Sequence, residues 1–183
     1  NIDKKATEIT SLNVVMISDA HIGISVRENA ISKMVTLINQ LNPDMVVFCG
    51  DIFDESTTKK LKEYSRDEFK NIKSKYGVYA ITGNHDFMAG DLPDTISYFK
   101  DAGVKFLQDE WIKVDDSFYI VGLSDPGNRK VKGYEAKSLD EILNGVDKSL
   151  PIIELNHRPE RLEEAEIEKV DLQLSGHAHT GQV

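Results

Sequence analysis

Residues 44–51 read DMVVFCGD: five consecutive apolar side chains, Met45 to Cys49, closed by Gly50 and Asp51. An unbroken apolar run of this length, bounded by turn-forming residues, reads as a short buried strand. Six further runs have the same character: NVVMIS (13–18), GVYAITG (77–83), GVKFL (103–107), FYIVGL (118–123), PIIEL (151–155) and VDLQLSG (170–176). Helical stretches lie between them. ENAISKMVTLINQL (28–41) carries Ile31, Met34, Val35, Ile38 and Leu41 at helical spacing and ends at Asn42-Pro43. STTKKLKEYSRDEFKNIKSKYG (56–77) reads as a second helix, capped by Ser56 and stopped by Gly77. SLDEILNG (138–145) and RPERLEEAEIEKV (158–170) supply two more, and LSDPGNRKVKGYEAK (123–137) reads as a long surface loop. Strands alternating with helices, with no internal repeat or linker, predict one α/β domain over 1–183.

The chain has 183 residues, 40% of them hydrophobic, enough for one good core. With 22 Lys and Arg against 31 Asp and Glu, its formal charge is −9. That charge excludes a general electrostatic pull toward nucleic acid or an anionic membrane, so any affinity for phosphate must be built locally. The single cysteine, Cys49, sits inside an apolar run and reads as a small buried hydrophobe. No apolar stretch approaches the roughly 20 residues that cross a bilayer. The chain starts at Asn1 rather than Met and stops just after a dense polar motif, so it reads as a piece of something longer, truncated at the C-terminus.

Five of the strands end in a short polar cluster: SDAH (18–21), GD (50–51), GNHD (83–86), NH (156–157) and GHAH (176–179). All five histidines lie in these clusters. Singly, each residue has a plain reading. Asp19 could cap a helix, Asp51 and Asp54 could be loop carboxylates, Asn84 could turn the chain beside Gly83, and His157 could be an ordinary loop histidine. The pair His177 and His179 could be two solvated imidazoles on one face of a strand. Jointly these readings weaken, because the carboxyl ends of strands in an open α/β sheet form the crevice where ligands bind. The residue types there, carboxylate, amide and imidazole without sulfur, suit Mn, Fe or Zn rather than a structural thiolate site. Seven donors, Asp19, His21, Asp51, Asn84, His157, His177 and His179, are too many for one tetrahedral ion and right for two ions sharing a carboxylate.

The ordered series Asp19-Ala20-His21, Gly50-Asp51, Gly83-Asn84-His85-Asp86, His157 and Gly176-His177-Ala178-His179 resembles the calcineurin-like metallophosphoesterases, across nearly the whole chain. That resemblance implies an αββα sandwich of two mixed sheets flanked by helices, with the metal site at the carboxyl ends of the strands. It implies a first ion on Asp19, His21, Asp51 and His179, and a second on Asp51, Asn84, His157 and His177, with Asp51 as the bridge. His85 would stay off the metals and face the substrate as a catalytic group, with Asp86 orienting it. Two divalent ions, Mn first and Fe or Zn as alternatives, would outweigh Asp19 and Asp51 and leave a positive pocket. Attack by a metal-bridging hydroxide would then hydrolyse phosphate mono- or diesters. The two histidines of His177-Ala178-His179, one residue apart, would serve one ion each, with Gly176 and Gly181 letting the backbone turn beside them.

Within that family, GDIFDES (50–56) lacks the arginine of the protein Ser/Thr phosphatases, so phosphoprotein substrates are not expected, and the charge argues against a nucleic-acid surface. Phrases such as NPDMVVFCGD and YGVYAITGNHD look more like the bacterial YkuE- and YaeI-like phosphoesterases. That likeness implies work near membranes or cell-wall polymers through a segment absent from this chain, with a cytoplasmic location as the alternative. The chain departs from the group in reading GHAHTGQ for GHTHGGQ. The group also continues past this motif, so the second sheet is expected to be incomplete here. The alternatives from other classes are a non-catalytic metal-binding or scaffolding module of the same fold and a structural single-metal protein.

Overall fold

A computed structural model of the chain describes residues 2–88, 92–127, 135 and 137–179. The first half of the described chain builds a parallel sheet. Strands β1 (Val14–Ile17), β2 (Met45–Cys49), β3 (Val78–Ile81) and β4 (Lys105–Phe106) pair in that order, each linked to the next by at least one helix. The connections are α1 (Glu28–Gln40), α2 (Lys59–Phe69), and the consecutive α3 (Asn84–Met88) and α4 (Leu92–Asp101). The second sheet is mixed. Strands β5 (Glu110–Val114) and β6 (Phe118–Gly122) form an antiparallel hairpin turned by left-handed Asp115 and Asp116, and β6 continues in parallel to β7 (Ile152–Leu155) and β8 (Leu172–Leu174). Helices α5 (Leu139–Ile142) and α6 (Leu162–Ile167) lie beside it.

The alternation of side chains in β2 explains the layering. Met45, Val47 and Cys49 point to the second sheet, where they meet Val114, Phe118, Ile120, Ile153 and Leu155. Phe48 points the other way, into a layer with Ile31, Val35, Leu61, Phe69, Ile96 and Phe99 from the helices. Both faces are therefore covered, which is why the run is apolar without a break. The outer face of the second sheet, Tyr119, Val121 and Ile152, packs on Leu139, Ile142, Leu143 and Ala165. The result is helix, sheet, sheet, helix. It differs from the expectation of two mixed sheets in one respect: the first sheet is parallel through all four described strands.

Other details are corrected. Helix α2 starts at Lys59, capped by Thr58, whose side chain accepts the Leu61 amide, and ends at Phe69. Ser56 is not its cap: it donates to the Asp54 carboxylate and accepts the Ile24 amide. Helices α3 and α4 and strand β5 were not anticipated. Of the 123–137 loop, residues 128–134 and 136 lie outside the described residues.

Candidate metal centre

Every expected site residue that the structure describes lies just past the carboxyl end of a strand, and the two sheets bring these ends together. The ladders run on into the loops: Asp19 and His21 donate their amides to the carbonyls of Gly50 and Asp51, each at 3.1 Å, and Gly176 donates to His157 at 3.0 Å. The sheets are joined here by the His177 amide, which donates to both Asp19 oxygens at 3.1 and 3.0 Å. Ser18 donates to the same carboxylate at 2.6 Å. A side chain at Gly83 would run into the Asp51 carboxylate and backbone nitrogen, and one at Gly176 into Ser18 and Asp19. Those two glycines permit the approach of one loop to the next. Gly181 lies outside the described residues.

Five of the donors, Asp19, His21, Asp51, His177 and His179, have positive φ between 42° and 67°. A left-handed backbone is uncommon away from glycine and costs about 1–2 kcal/mol per residue. The tight turns that aim these side chains inward are therefore strained.

Two groups of donors result. Asp19, His21 and His179 form one; Asp51, His157 and His177 form the other; within each, one ligand atom per residue lies within 4.8 Å of the rest. The chemistry of the second group can be read atom by atom. His157 Nδ1 donates to the Cys49 carbonyl at 2.8 Å, which fixes the tautomer and turns the Nε2 lone pair inward. Nε2 lies 3.0 Å from Asp51 Oδ2, yet the two are not aligned as donor and acceptor, and both are buried without a hydrogen-bond partner among the described residues. Two ligand atoms about 2.1 Å from one ion and at right angles to each other would sit about 3.0 Å apart. The pair converges on a point between them. His21 Nε2 is a third buried atom with no such partner. Burial works against charge on Asp51 and His157, but their mutual contact outweighs it. Asp51 is held below the usual carboxylate range and His157 above the usual imidazole value. The donor set and these orphaned atoms fit divalent cations.

Asn84 opens α3, and its Oδ1 lies 3.5 Å from the Arg158 guanidinium, whose NH1 lies 3.3 Å from His177 Nε2. Asn84 and His85 diverge because they begin a helix, where the expectation had them on an extended strand end. His85 donates its amide to Asp51 Oδ1 at 2.7 Å, and its ring stands edge-on to His21 with centroids 4.8 Å apart. Asp86 does not orient that ring. Its carboxylate is buried and accepts the amides of Asp51, Ile52, Phe53 and Gly83 at 2.7–3.1 Å, so it shapes the turn that carries Asp51. Burial pushes Asp86 up to about 6, against the pull of those amides. The group on the His85 ring is instead Glu55, whose Oε2 is 3.3 Å from Nδ1. The sequence held both residues in view, Glu55 in GDIFDES and Arg158 in HRPE, without a signal that either turned toward the site.

Residues 12–181 match the sequence profile of the family described as calcineurin-like phosphoesterase, and the chain belongs to that family of metal-dependent phosphoester hydrolases. One relative is a transmembrane protein with metallophosphoesterase domain from Danio rerio, 30% identical, covering 100% of this chain and 43% of its own length. An uncharacterized metallophosphoesterase from Aquifex aeolicus is 30% identical over 97% of this chain and 65% of itself. The UDP-2,3-diacylglucosamine pyrophosphatase LpxG of Chlamydia trachomatis is 23% identical over 100% of this chain and 68% of itself. This chain thus spans 43% to 68% of the length of these relatives. The crystal structure of TT1561 from Thermus thermophilus shares the fold, with a TM-score of 0.60 at 11% identity over 93% of this chain and 86% of that one. Among the described residues no helix is long and apolar enough to cross a membrane.

Proposed function

We propose that this chain hydrolyses phosphate esters at a dinuclear centre, with Asp19, His21, Asp51 and His179 holding one ion and Asp51, Asn84, His157 and His177 the other. The observation that carries this reading is the convergence of Asp51 Oδ2 and His157 Nε2, buried and unsatisfied, beside a second donor group that includes the buried His21 Nε2. Bound divalent ions would supply a nucleophile from water at neutral pH and offset charge on the phosphoryl oxygens. The donor set of oxygen and imidazole suits Mn, with Fe or Zn as alternatives. The chain's own residues do the rest. Asp51 would be held by both ions, its carboxylate oriented by the His85 amide on Oδ1 and by the Asp86 turn. His157 is held in one tautomer by the Cys49 carbonyl. The His85 ring, steadied by Glu55, carries a proton to the leaving alkoxide. The Danio relative's name supports a membrane setting, reached through a segment outside these residues.

The test is Asp51→Asn, which keeps the oxygen that accepts the His85 amide and removes the shared charge. Turnover should fall by at least about 10³-fold and metal content drop from two ions per chain to one or fewer, read by elemental analysis. Near-native turnover with two ions bound would overturn the dinuclear assignment. Two bound ions in the unaltered protein without turnover on any phosphate ester would favour the scaffolding alternative.

A further inference from the structure

Arg158 follows the donor His157 directly and reaches into the centre from the second sheet. Its Nε donates to Asp125 Oδ2 at 2.8 Å, and Asp125 is itself buried, its other oxygen accepting the Gly127 amide at 2.7 Å. The guanidinium is thus anchored on one edge. Its other edge is only loosely engaged: NH1 lies 3.3 Å from His177 Nε2 and NH2 lies 3.5 Å from Asn84 Oδ1. Both contacts go to lone pairs assigned above to the second ion. With that ion bound, the lone pairs are committed and the neighbouring positive charge repels the guanidinium, while the bond to Asp125 has no competitor. NH1 and NH2 are left at the edge of the centre, always charged and ready for an anion.

The number of oxygens on the substrate then matters. A phosphodiester has two terminal oxygens, and two ion positions account for both. A phosphomonoester, or the terminal phosphate of a diphosphate, has a third. We propose that Arg158 is a substrate-binding residue that receives this third oxygen, with Asp125 as its positioning residue, so that the site selects terminal phosphoryl groups over diesters. This inference rests on the dinuclear reading above. In a chain of net charge −9, Arg158 is also a cation that, among the described residues, the fold delivers to the Asn84 and His177 side of the centre.

The experiment uses the Mn-loaded chain and three readouts: metal content, binding of inorganic phosphate by calorimetry, and kcat/KM for 4-nitrophenyl phosphate against bis(4-nitrophenyl) phosphate. Arg158→Gln should keep two ions, weaken phosphate binding by about 10- to 100-fold, and lower monoester kcat/KM by a similar factor, as for loss of a charge-assisted hydrogen bond. Diester kcat/KM should stay within about 3-fold. Arg158→Lys should recover part of the phosphate affinity, because it restores the charge without the fork. Asp125→Asn should reduce the monoester-to-diester ratio in the same direction; general loosening of the loop would lower both rates together. Equal losses on both esters, unchanged phosphate binding, or loss of an ion in Arg158→Gln would overturn the proposal. Fewer than two ions in the unaltered protein would overturn the dinuclear reading itself, and that result precedes any variant.

Discussion

Glu154 occupies the middle of β7, fully buried, and both its carboxylate oxygens lack hydrogen-bond partners among the described residues. Its cross-strand neighbour is Gln173, whose Oε1 is buried and unpartnered too. The nearby Asn156 amide, which donates to the Glu160 carbonyl at 3.1 Å, draws the carboxyl down only in part. Around it, Arg161 draws the carboxyl down and Glu164, which holds that arginine, pushes it up; burial dominates and raises Glu154 to about 7. A proton on Glu154 supplies a donor to a pocket of acceptors. Since the folded state binds this proton more tightly than the unfolded chain, the stability it contributes is complete below about pH 4.5 and lost as pH rises through about 7. The change is on the order of 3 kcal/mol, at about 1.4 kcal/mol per tenfold in acidity. Glu154→Gln should therefore be more stable than the unaltered chain at pH 8 and much closer to it at pH 5, in urea unfolding at both. An unaltered pH slope would sink this account. Nothing in PIIEL announces such a residue, because one polar letter in an apolar strand does not say which layer it faces. The candidate donors were legible for the opposite reason: each sits at a strand end, where polarity has a use. Glu55 and Arg158 were not, since their contacts with His85 and Asn84 depend on how separate loops fold toward each other.

At the scale of elements, periodicity found what was regular. The apolar stripe of 28–41 became α1, and SLDEILNG became α5, only four residues long. Helix α4 had a stripe as well, with Leu92, Ile96 and Phe99 buried, and could have been found by the same test. Strand β5 could not be read so easily: Glu110 and Lys113 break its apolar pattern, and its partner in the hairpin decides its conformation. Short α5 persists because of its cap and its packing. Ser138 accepts the Glu141 amide while Glu141 accepts the Ser138 amide at 2.7 Å, and Leu139 and Ile142 bury against the second sheet. Ser138→Ala should cost about 1 kcal/mol in denaturant unfolding and leave metal content unchanged. A loss of metal would mean that α5 communicates with the centre, contrary to its place on the outer layer.

Across the whole molecule, the division into two sheets came from family resemblance, whereas the strands themselves came from sequence pattern. No period in the sequence tells which strand pairs with which. The assembled sandwich would give a metal centre a structural role: Asp19, His21, Asp51 and Asn84 follow strands of the first sheet, and His157, His177 and His179 follow strands of the second. Ions held by both groups would tie the sheets together at one end. At a free Mn concentration of about 100 times Kd, each site would add about 2.7 kcal/mol, enough to raise Tm by roughly 5–10 °C for one site in a chain of this size. Calorimetry with Mn and with chelator should show that rise and its reversal, reduced in Asp51→Asn; equal Tm values under both conditions would mean that the ions do not join the halves. The strained turns of the centre add a last consequence. At Asp19, His21, Asp51, His177 and His179 the ordinary relief for a left-handed backbone, a glycine, removes the donor itself. Laboratory evolution for heat resistance in metal-free medium would reward just those replacements, and the lineage it produced would be sturdier and inert.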